Sequence, residues 1–444
     1  MNRIYKVIWN KARNCYMAVA EFVKRNGKGG SVLNRRHIAA ALENKTAASL
    51  LTGQTVAAAL LAATVFCAAP GMAMANSGGT PDADGNYIGN APDYAVVIDS
   101  DVSGKVYGCR ESDLSALRAS VMVKSGTVGI VGAGTFVYGG FSVSGYYVSS
   151  NMVTVSGGTV GVSGHGEMIG GRSMYRNAED NTVTVSSGTL NVSVGGGYSG
   201  GEGDAKINKV IISGGTVQEV YGGRSESGSA TGNEVTVSGG SVTGNVYGGR
   251  SESGSATGND VTVSDGSVSY VYGGYSDSSA ANGNSVDISG GTVSSDVYGG
   301  YTLGGSSESS ASGNTVRISG GTVEGTVDGG FAFNGDAVNN TIILSKEEGK
   351  AVPILKGTLS GGSAFNDGGT VSDNTLQVEA AGLSAPEIRK FENYKFVLPS
   401  DIEAGDTMLT LTRQDKNLTV DGSKVGITTD GRQNGLYLDE SITL

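Results

Sequence analysis

Cysteine is nearly absent from this 444-residue sequence, which contains only Cys15, Cys67 and Cys109. The first two fall in an N-terminal segment that reads as removable, so Cys109 is left alone and no intrachain disulfide can form. Such a chain must be held by backbone pairing and packing, and it stays free to thread unfolded through a pore. Tryptophan occurs once, at Trp9, and beyond that segment histidine occurs only as His165. Cys109 lies outside the spacing that local zinc ligands use with His165, which reads as a loop residue. Proline is scarce, with six residues against 74 glycines, and hydrophobic residues reach only 38%. Gly-rich, Pro-poor sequence with abundant Val, Ser and Thr suggests many short strands joined by tight turns. Basic charge is short as well. Residues 1–75 hold ten of the 31 Lys and Arg and two of the 42 Asp and Glu, leaving 21 against 40 and a net of −19. That acidity argues against nucleic acid or anionic membrane as a partner. The apolar run at 56–69 is too short to span a bilayer, which takes about 20 residues.

That run belongs to a signal. Arg35 and Arg36 precede it, Pro70-Gly71 breaks it, and Ala73-Met74-Ala75 places small residues where a signal peptidase reads. Cleavage between Ala75 and Asn76 fits the n-, h- and c-regions of an export signal at about 31–75. The bulky Phe66 before Cys67 disfavours lipidation there. Ahead of the signal stands a basic, aromatic leader, residues 1–28, and the export segment as a whole reads as helical.

The leader, from Met1-Asn2-Arg3-Ile4-Tyr5-Lys6-Val7-Ile8-Trp9-Asn10 to the aromatic-alanine stretch after Cys15, resembles the extended signal peptide region of type V secretion substrates. These are autotransporters, trimeric adhesins and two-partner exoproteins of Gram-negative bacteria. The resemblance implies export through the general secretory translocon, cutting by signal peptidase, passage through the periplasm, and display across the outer membrane.

From Asn151 onward one phrase recurs. NMVTVSGGTV starts at Asn151, and related copies start at Asn181, Asn208, Asn233, Asn259, Asn284, Asn314 and Asn340, spaced 30, 27, 25, 26, 25, 30 and 26 residues apart. Worn copies begin at Ala119 and Asn374. A second block, VYGG or a variant, follows at Val106, Val137, Val220, Val246, Val271, Val297 and Val327, and residues 220–233 and 246–259 are identical. Self-similarity at this period marks a solenoid. Alternation of period two in Val153-Thr154-Val155-Ser156 predicts strands, Gly-Gly turns the chain, and Thr-Val and Val-Tyr-Gly-Gly supply two further strands. Three short strands per repeat predict an all-β, right-handed parallel β-helix of about ten coils at about 4.8 Å per coil. The recurrent Asn is expected to take the left-handed turn conformation and to stack as an amide ladder.

The expected organisation is an N-terminal cap at 76–118 with a helical turn near Asp113 to Arg118, the array at 119–375, and a C-terminal β-rich cap or junction at 376–444. Ser384-Ala385-Pro386-Glu387 predicts a short helix start, followed by strand-like 395–398, 407–411 and 418–420. The segments 394–399 and 404–409 and the array itself resemble autotransporter passengers. Such a protein should continue into a membrane β-barrel with alternating residues and aromatic girdles. No such pattern occurs before Leu444, so the expectation is a fragment, a truncated non-functional passenger, or translocation through a separate barrel.

Catalytic motifs are weak. Gly197-Tyr198-Ser199-Gly200-Gly201 matches G-x-S-x-G, yet no His follows His165 and no helix is expected. The G-x-G-x-x-G at 195–200 lacks its helix and ribose context. Asp82-Ala83-Asp84-Gly85-Asn86 and Gly200-Gly201-Glu202-Gly203-Asp204 echo calcium loops but miss the required Gly or register. Acids in the array lie scattered in Ser-Gly loops, so no enzyme, metal or cofactor is expected, although a carbohydrate-active enzyme is one alternative that β-helices allow. A trimeric-type adhesin fragment is another, and it should show heptads, of which there are none. The residues after the VYGG blocks, Phe141, Arg172, Arg224, Arg250, Tyr275, Tyr301 and Phe331, join Tyr138, Tyr221, Tyr247, Tyr272 and Tyr298 in one or two axial stripes. They serve either as a contact face for host glycans, host proteins or a second copy, or simply as stacked structural aromatics. The sequence reading favours a surface-exposed or secreted adhesin or self-association protein.

Overall fold

The computed structural model describes residues 5–10 and 15–20 and, with short interruptions, 82–429. The chain forms two units, 1–68 and 69–444. In the first, Tyr5–Asn10 and Cys15–Ala20 pair antiparallel, Tyr5 opposite Ala20 and Asn10 opposite Cys15. The expected helical form is not the one these segments take, and their Tyr, Val, Ile and Trp content suits strands. The rest of the export segment, including the expected cleavage point between Ala75 and Asn76, lies outside the described residues.

The second unit is an all-β parallel solenoid of about 12 turns, without a helix among the described residues. Its logic is visible in one coil. Within Glu234–Val242, Val235 and Val237 point inward while Glu234 and Thr236 point outward. The chain then bends at Gly239-Gly240, continues to Val246–Ser251, and closes with Ala256–Thr257. Parallel pairing sets Val210, Val235, Val261 and Val286 directly above one another, and Ile212, Val237, Val263 and Ile288 beside them. These columns are 0–1% exposed and form one continuous core. Toward the C-terminal end the inward residues grow, from Val316 and Ile318 through Ile342 and Leu344 to Tyr394 and Phe396. The Gly-Gly bend has a steric cause. Gly240 has φ +76°, and a Cβ there would lie 2.5 Å from the Gly215 carbonyl oxygen of the coil below.

The amide ladder is continuous from Asn151 to Asn374, each Asn 0–1% exposed. The Asn233 Oδ1 accepts the Asn208 backbone N–H and the Asn208 Nδ2, both at 3.0 Å, and its own Nδ2 donates to the Ala205 carbonyl at 3.0 Å and to Asn259 Oδ1 at 2.9 Å. Its conformation corrects the expectation. The left-handed residue is the one before each ladder Asn: Ser150, Asp180, Ile207, Gly232, Gly258, Gly283, Gly313, Asn339 and Asp373 all have φ between +54° and +66°. The ladder Asn itself must stay extended for its N–H to reach the next Oδ1.

Ile207 is the costly occupant of that position, β-branched at φ +54° and 59% exposed. Left-handed backbone costs an L-residue about 1–2 kcal/mol, and glycine in place of it gives up about 0.5–1 kcal/mol of chain entropy. Ile207→Gly is expected to stabilise the coil by about 0.5–1 kcal/mol, read as a higher urea midpoint.

Four further differences from the sequence reading stand out. A fourth strand position exists, the two-residue Ala116–Leu117, Val148–Ser149, Ala178–Glu179, Ala205–Lys206, Ala230–Thr231 and Ala256–Thr257, which stack as a six-stranded sheet. Ala116–Leu117 therefore replaces the expected helical turn; residues 112–114 lie outside the described residues. The helix expected from Ser384 is absent, because Leu383–Ala385 and Ile388–Arg389 are strands paired in parallel with Leu409–Leu411 and with Leu359–Ser360. Inward burial of Leu383, Ala385 and Ile388 outweighs the local capping signal. The stack also extends beyond 119–375: Ala95–Ile98 pairs with Ser120–Val123, and Asn393–Leu398 with Lys424–Thr429. Residues 418–420 lie outside the described residues.

Candidate functional site

In each Val-Tyr-Gly-Gly strand the Val is inward, the Tyr outward, and the residue after Gly-Gly outward again. Parallel register turns these two positions into two adjacent columns. The first runs Tyr107, Tyr138, Ile169, Gly195, Tyr221, Tyr247, Tyr272, Tyr298, Asp328. The second runs Arg110, Phe141, Arg172, Tyr198, Arg224, Arg250, Tyr275, Tyr301, Phe331. All eight residues singled out from sequence, Tyr221, Arg224, Tyr247, Arg250, Tyr272, Tyr275, Tyr298 and Tyr301, therefore share one face.

Within each column the rings stack. Tyr247 and Tyr272 have centroids 4.9 Å apart, Tyr272 and Tyr298 5.2 Å, Tyr275 and Tyr301 5.2 Å, and Tyr301 and Phe331 4.7 Å. Between columns they meet edge to face, with Tyr272 and Tyr275 5.4 Å apart. Spacings of this kind add about 0.5–1.5 kcal/mol per pair beyond area burial. Exposure is uneven along the face. Tyr221 is 1% exposed because it fills the space left by Gly195, where a Cβ would lie 2.1 Å from its ring. Tyr247 is buried, whereas Tyr272, Tyr275, Tyr298 and Tyr301 are partly exposed. Burial pushes the hydroxyls of Tyr198 and Tyr221 up to about 12 and raises those of Tyr247, Tyr272, Tyr275 and Tyr298, so all remain donors at neutral pH.

The arginines are clamped. Arg224 pairs with Glu252 of the next coil at 2.6 Å and its guanidinium lies 5.4 Å from the Tyr198 ring. Arg250 faces Asp277 at 3.8 Å and sits 5.5 Å from Tyr247 and 5.4 Å from Tyr275. Arg172 lies 4.5 Å from the Tyr198 ring and pairs with Glu167. The face is an aromatic ladder with compensated charge, not a basic patch. Sequence reading missed Tyr198, which stands in GGGYS where the repeats have YGGRS, and the acids Glu226, Glu252 and Asp277, which stand two residues after the second-column position.

The other motifs have structural roles. Ser199 is buried at the end of Thr182–Ser199, its Oγ donating to the Arg176 carbonyl at 3.0 Å, with no strand-to-helix turn. Asp82 accepts the Asn86 N–H at 2.8 Å and the Asn86 Nδ2 at 3.1 Å. Asp204 bonds the Ser229 N–H and pairs with Lys206, both at 2.7 Å. No group of three or more His, Cys, Asp or Glu that could hold a metal ion occurs among the described residues.

Residues 1–69 match the family model described as the Extended Signal Peptide of Type V secretion system. No curated protein and no solved structure matches the chain. A signal of this type directs export across the inner membrane through the secretory translocon and signal peptidase, toward an outer-membrane translocation domain. Joined to a parallel β-solenoid with a stacked core and ladder, this signal supports an autotransporter passenger of type V secretion.

Proposed function

We propose that this passenger acts at the bacterial surface or in the medium as a non-catalytic adhesin or self-association protein. The observation that carries this reading is the repetition of one aromatic face over successive coils. Each rung offers a weak contact, and many rungs in register convert weak contacts into strong attachment by raising the effective local concentration. Partly exposed Tyr rings with protonated hydroxyls suit stacking and hydrogen bonding to glycans, to host proteins, or to the same face of a second copy.

The test uses the exported chain coupled to beads. Serine already occupies the second-column position at Ser363, paired with Phe331, so Tyr275→Ser with Tyr301→Ser keeps a residue the coil accommodates. Bead aggregation and retention on epithelial cells are expected to fall about tenfold or more, with the far-UV circular dichroism spectrum unchanged. Undiminished aggregation and retention would remove the face from the mechanism.

A further inference from the structure

A second feature lies on a different strand of each coil. The outward residues of the Asn-led strands are mostly plain, as at Thr154, Thr184, Thr236 and Thr262. The same register position then becomes charged, with Asp287 stacked under Arg317. Beside it the turn is enlarged. In neighbouring coils the inward pair Ile318 and Val323 brackets a four-residue Ser-Gly-Gly-Thr turn, whereas Leu344 and Leu355 bracket residues 345–354. Ser345, Lys346 and Glu347 thereby stand up as a wall. Together with Glu379 and Val397 from later coils they border, over Asp287 and Arg317, a half-open cavity of about 520 Å³, within the range of small-molecule sites.

Its polar groups are set rather than loose. Arg317 Nη1 donates to Ser345 Oγ and to Glu379 Oε2, each at 3.0 Å, fixing the guanidinium across successive coils. Glu379 also accepts from Gln377 Nε2, and Glu347 is paired with Lys350. Asp287 is different. Its Oδ1 is buried and has no hydrogen-bond partner in the protein, and among the described residues it is the one carboxylate oxygen so placed. A buried acceptor left unpaired costs about 1–3 kcal/mol, and more when charged. Burial pushes this carboxyl up, Arg317 pulls it back, and Glu347 adds to the rise.

The mixture of charges selects the ligand class. A cation would answer Asp287 but meets Arg317 and Lys346. An anion would answer Arg317 but meets Asp287, Glu347 and Glu379. A neutral molecule with several hydroxyls can donate to the carboxylates of Asp287, Glu347 and Glu379 while accepting from guanidinium and serine hydroxyls, and Val397 offers an apolar contact for a ring face. We propose that this cavity is a binding site for a neutral saccharide unit, held through its hydroxyls by Asp287 and Arg317. The site is separate from the tyrosine-arginine ladder and stands or falls independently of it.

The experiment is calorimetric titration of the full exported chain with galactose, lactose, maltose and cellobiose, beside N-acetylneuraminic acid and calcium chloride. At least one neutral sugar is expected to bind saturably in the millimolar range, a few kcal/mol of affinity. Asp287→Ala, which removes the buried carboxylate and so does not threaten folding, is expected to weaken that binding about tenfold or more. A second variant replaces 345–354 with the Ser-Gly-Gly-Thr turn of 319–322, leaves Asp287 and Arg317 in place, and is expected to lose binding by taking away the wall. Absence of saturable binding by every neutral sugar up to about 50 mM overturns the proposal. So does binding indifferent to Asp287→Ala, preference for calcium or the acidic sugar, or release of reducing sugar from the disaccharides.

Discussion

Asn233→Ala is expected to cost about 4 kcal/mol, a loss shared by the other interior rungs of the ladder, which make the same bonds. Removal of the amide leaves the Asn208 N–H and one Asn208 amide hydrogen without partners, both in the buried ladder, while the Ala205 carbonyl keeps its place in the strand pairing with Ala230–Thr231. Each orphaned buried group costs about 1–3 kcal/mol. The backbone N–H of residue 233 still reaches Asn259 Oδ1, so that rung survives. Asn191 is the control: it is exposed and its side chain makes a single bond, from Nδ2 to the Gly161 carbonyl at 2.9 Å. Asn191→Ala should cost about 1 kcal/mol. Urea unfolding followed by far-UV circular dichroism separates the two, and equal losses would mean that the ladder does not couple the coils.

The second large effect concerns Asp328, which takes the first-column position held by Tyr298 one coil before and is 2% exposed. Gly330 N–H donates to its Oδ1 at 3.1 Å and Ser363 Oγ donates to its Oδ2. Burial nevertheless pushes the carboxyl from 3.8 up to about 7, against the pull of these bonds and of Arg389. The folded state then holds a proton that the unfolded state has already lost. Stability is full below about pH 4, falls as pH rises toward 7, and is flat above. A shift of about three units corresponds to about 4 kcal/mol. Asp328→Asn is expected to be more stable than the parent at pH 8 by a few kcal/mol and nearly equal at pH 4. Urea midpoints at the two pH values check it. A shallower slope should remain from Asp260 and Asp287, whose carboxyls burial also raises, and an unaltered slope would clear Asp328 of the effect.

Much of this fold can be read in the chain because a solenoid stacks like on like. A Val every other residue, a Gly-Gly every coil and an Asn at each repeat start become columns as soon as one register is chosen, and that register is fixed by the core. The terminal coils escaped notice because Ala95–Ile98 and Asn393–Leu398 keep only the inward alternation, without the Asn or the Gly-Gly. The short Ala-Thr strands span two residues, too few for any period. At Ser384 a local capping signal competed with inward Leu383 and Ala385, and packing won. The tyrosine-arginine columns were legible as stripes, but not their burial, since Tyr221 is hidden by a missing side chain at Gly195, one coil away. The cavity was illegible for a different reason. Asp287, Arg317 and Glu379 are spread over more than ninety residues, and only the enlarged turn after Leu344 walls them in.

The identity of 220–233 with 246–259 has an evolutionary corollary. Those segments lie one turn apart, Tyr221 on Tyr247, Arg224 on Arg250, Ala230 on Ala256. Excising 234–259 would join Asn233 to Asp260 and set Tyr221 on Tyr272 and Arg224 on Tyr275, contacts that Tyr247 and Arg250 already make. Replication slippage can therefore lengthen or shorten the molecule by one turn while keeping the pairings of the Val-Tyr-Gly-Gly strands familiar and setting Val210 and Ile212 on Val261 and Val263 in place of Val235 and Val237. The length of the solenoid becomes a heritable variable, adjustable in steps of about 4.8 Å.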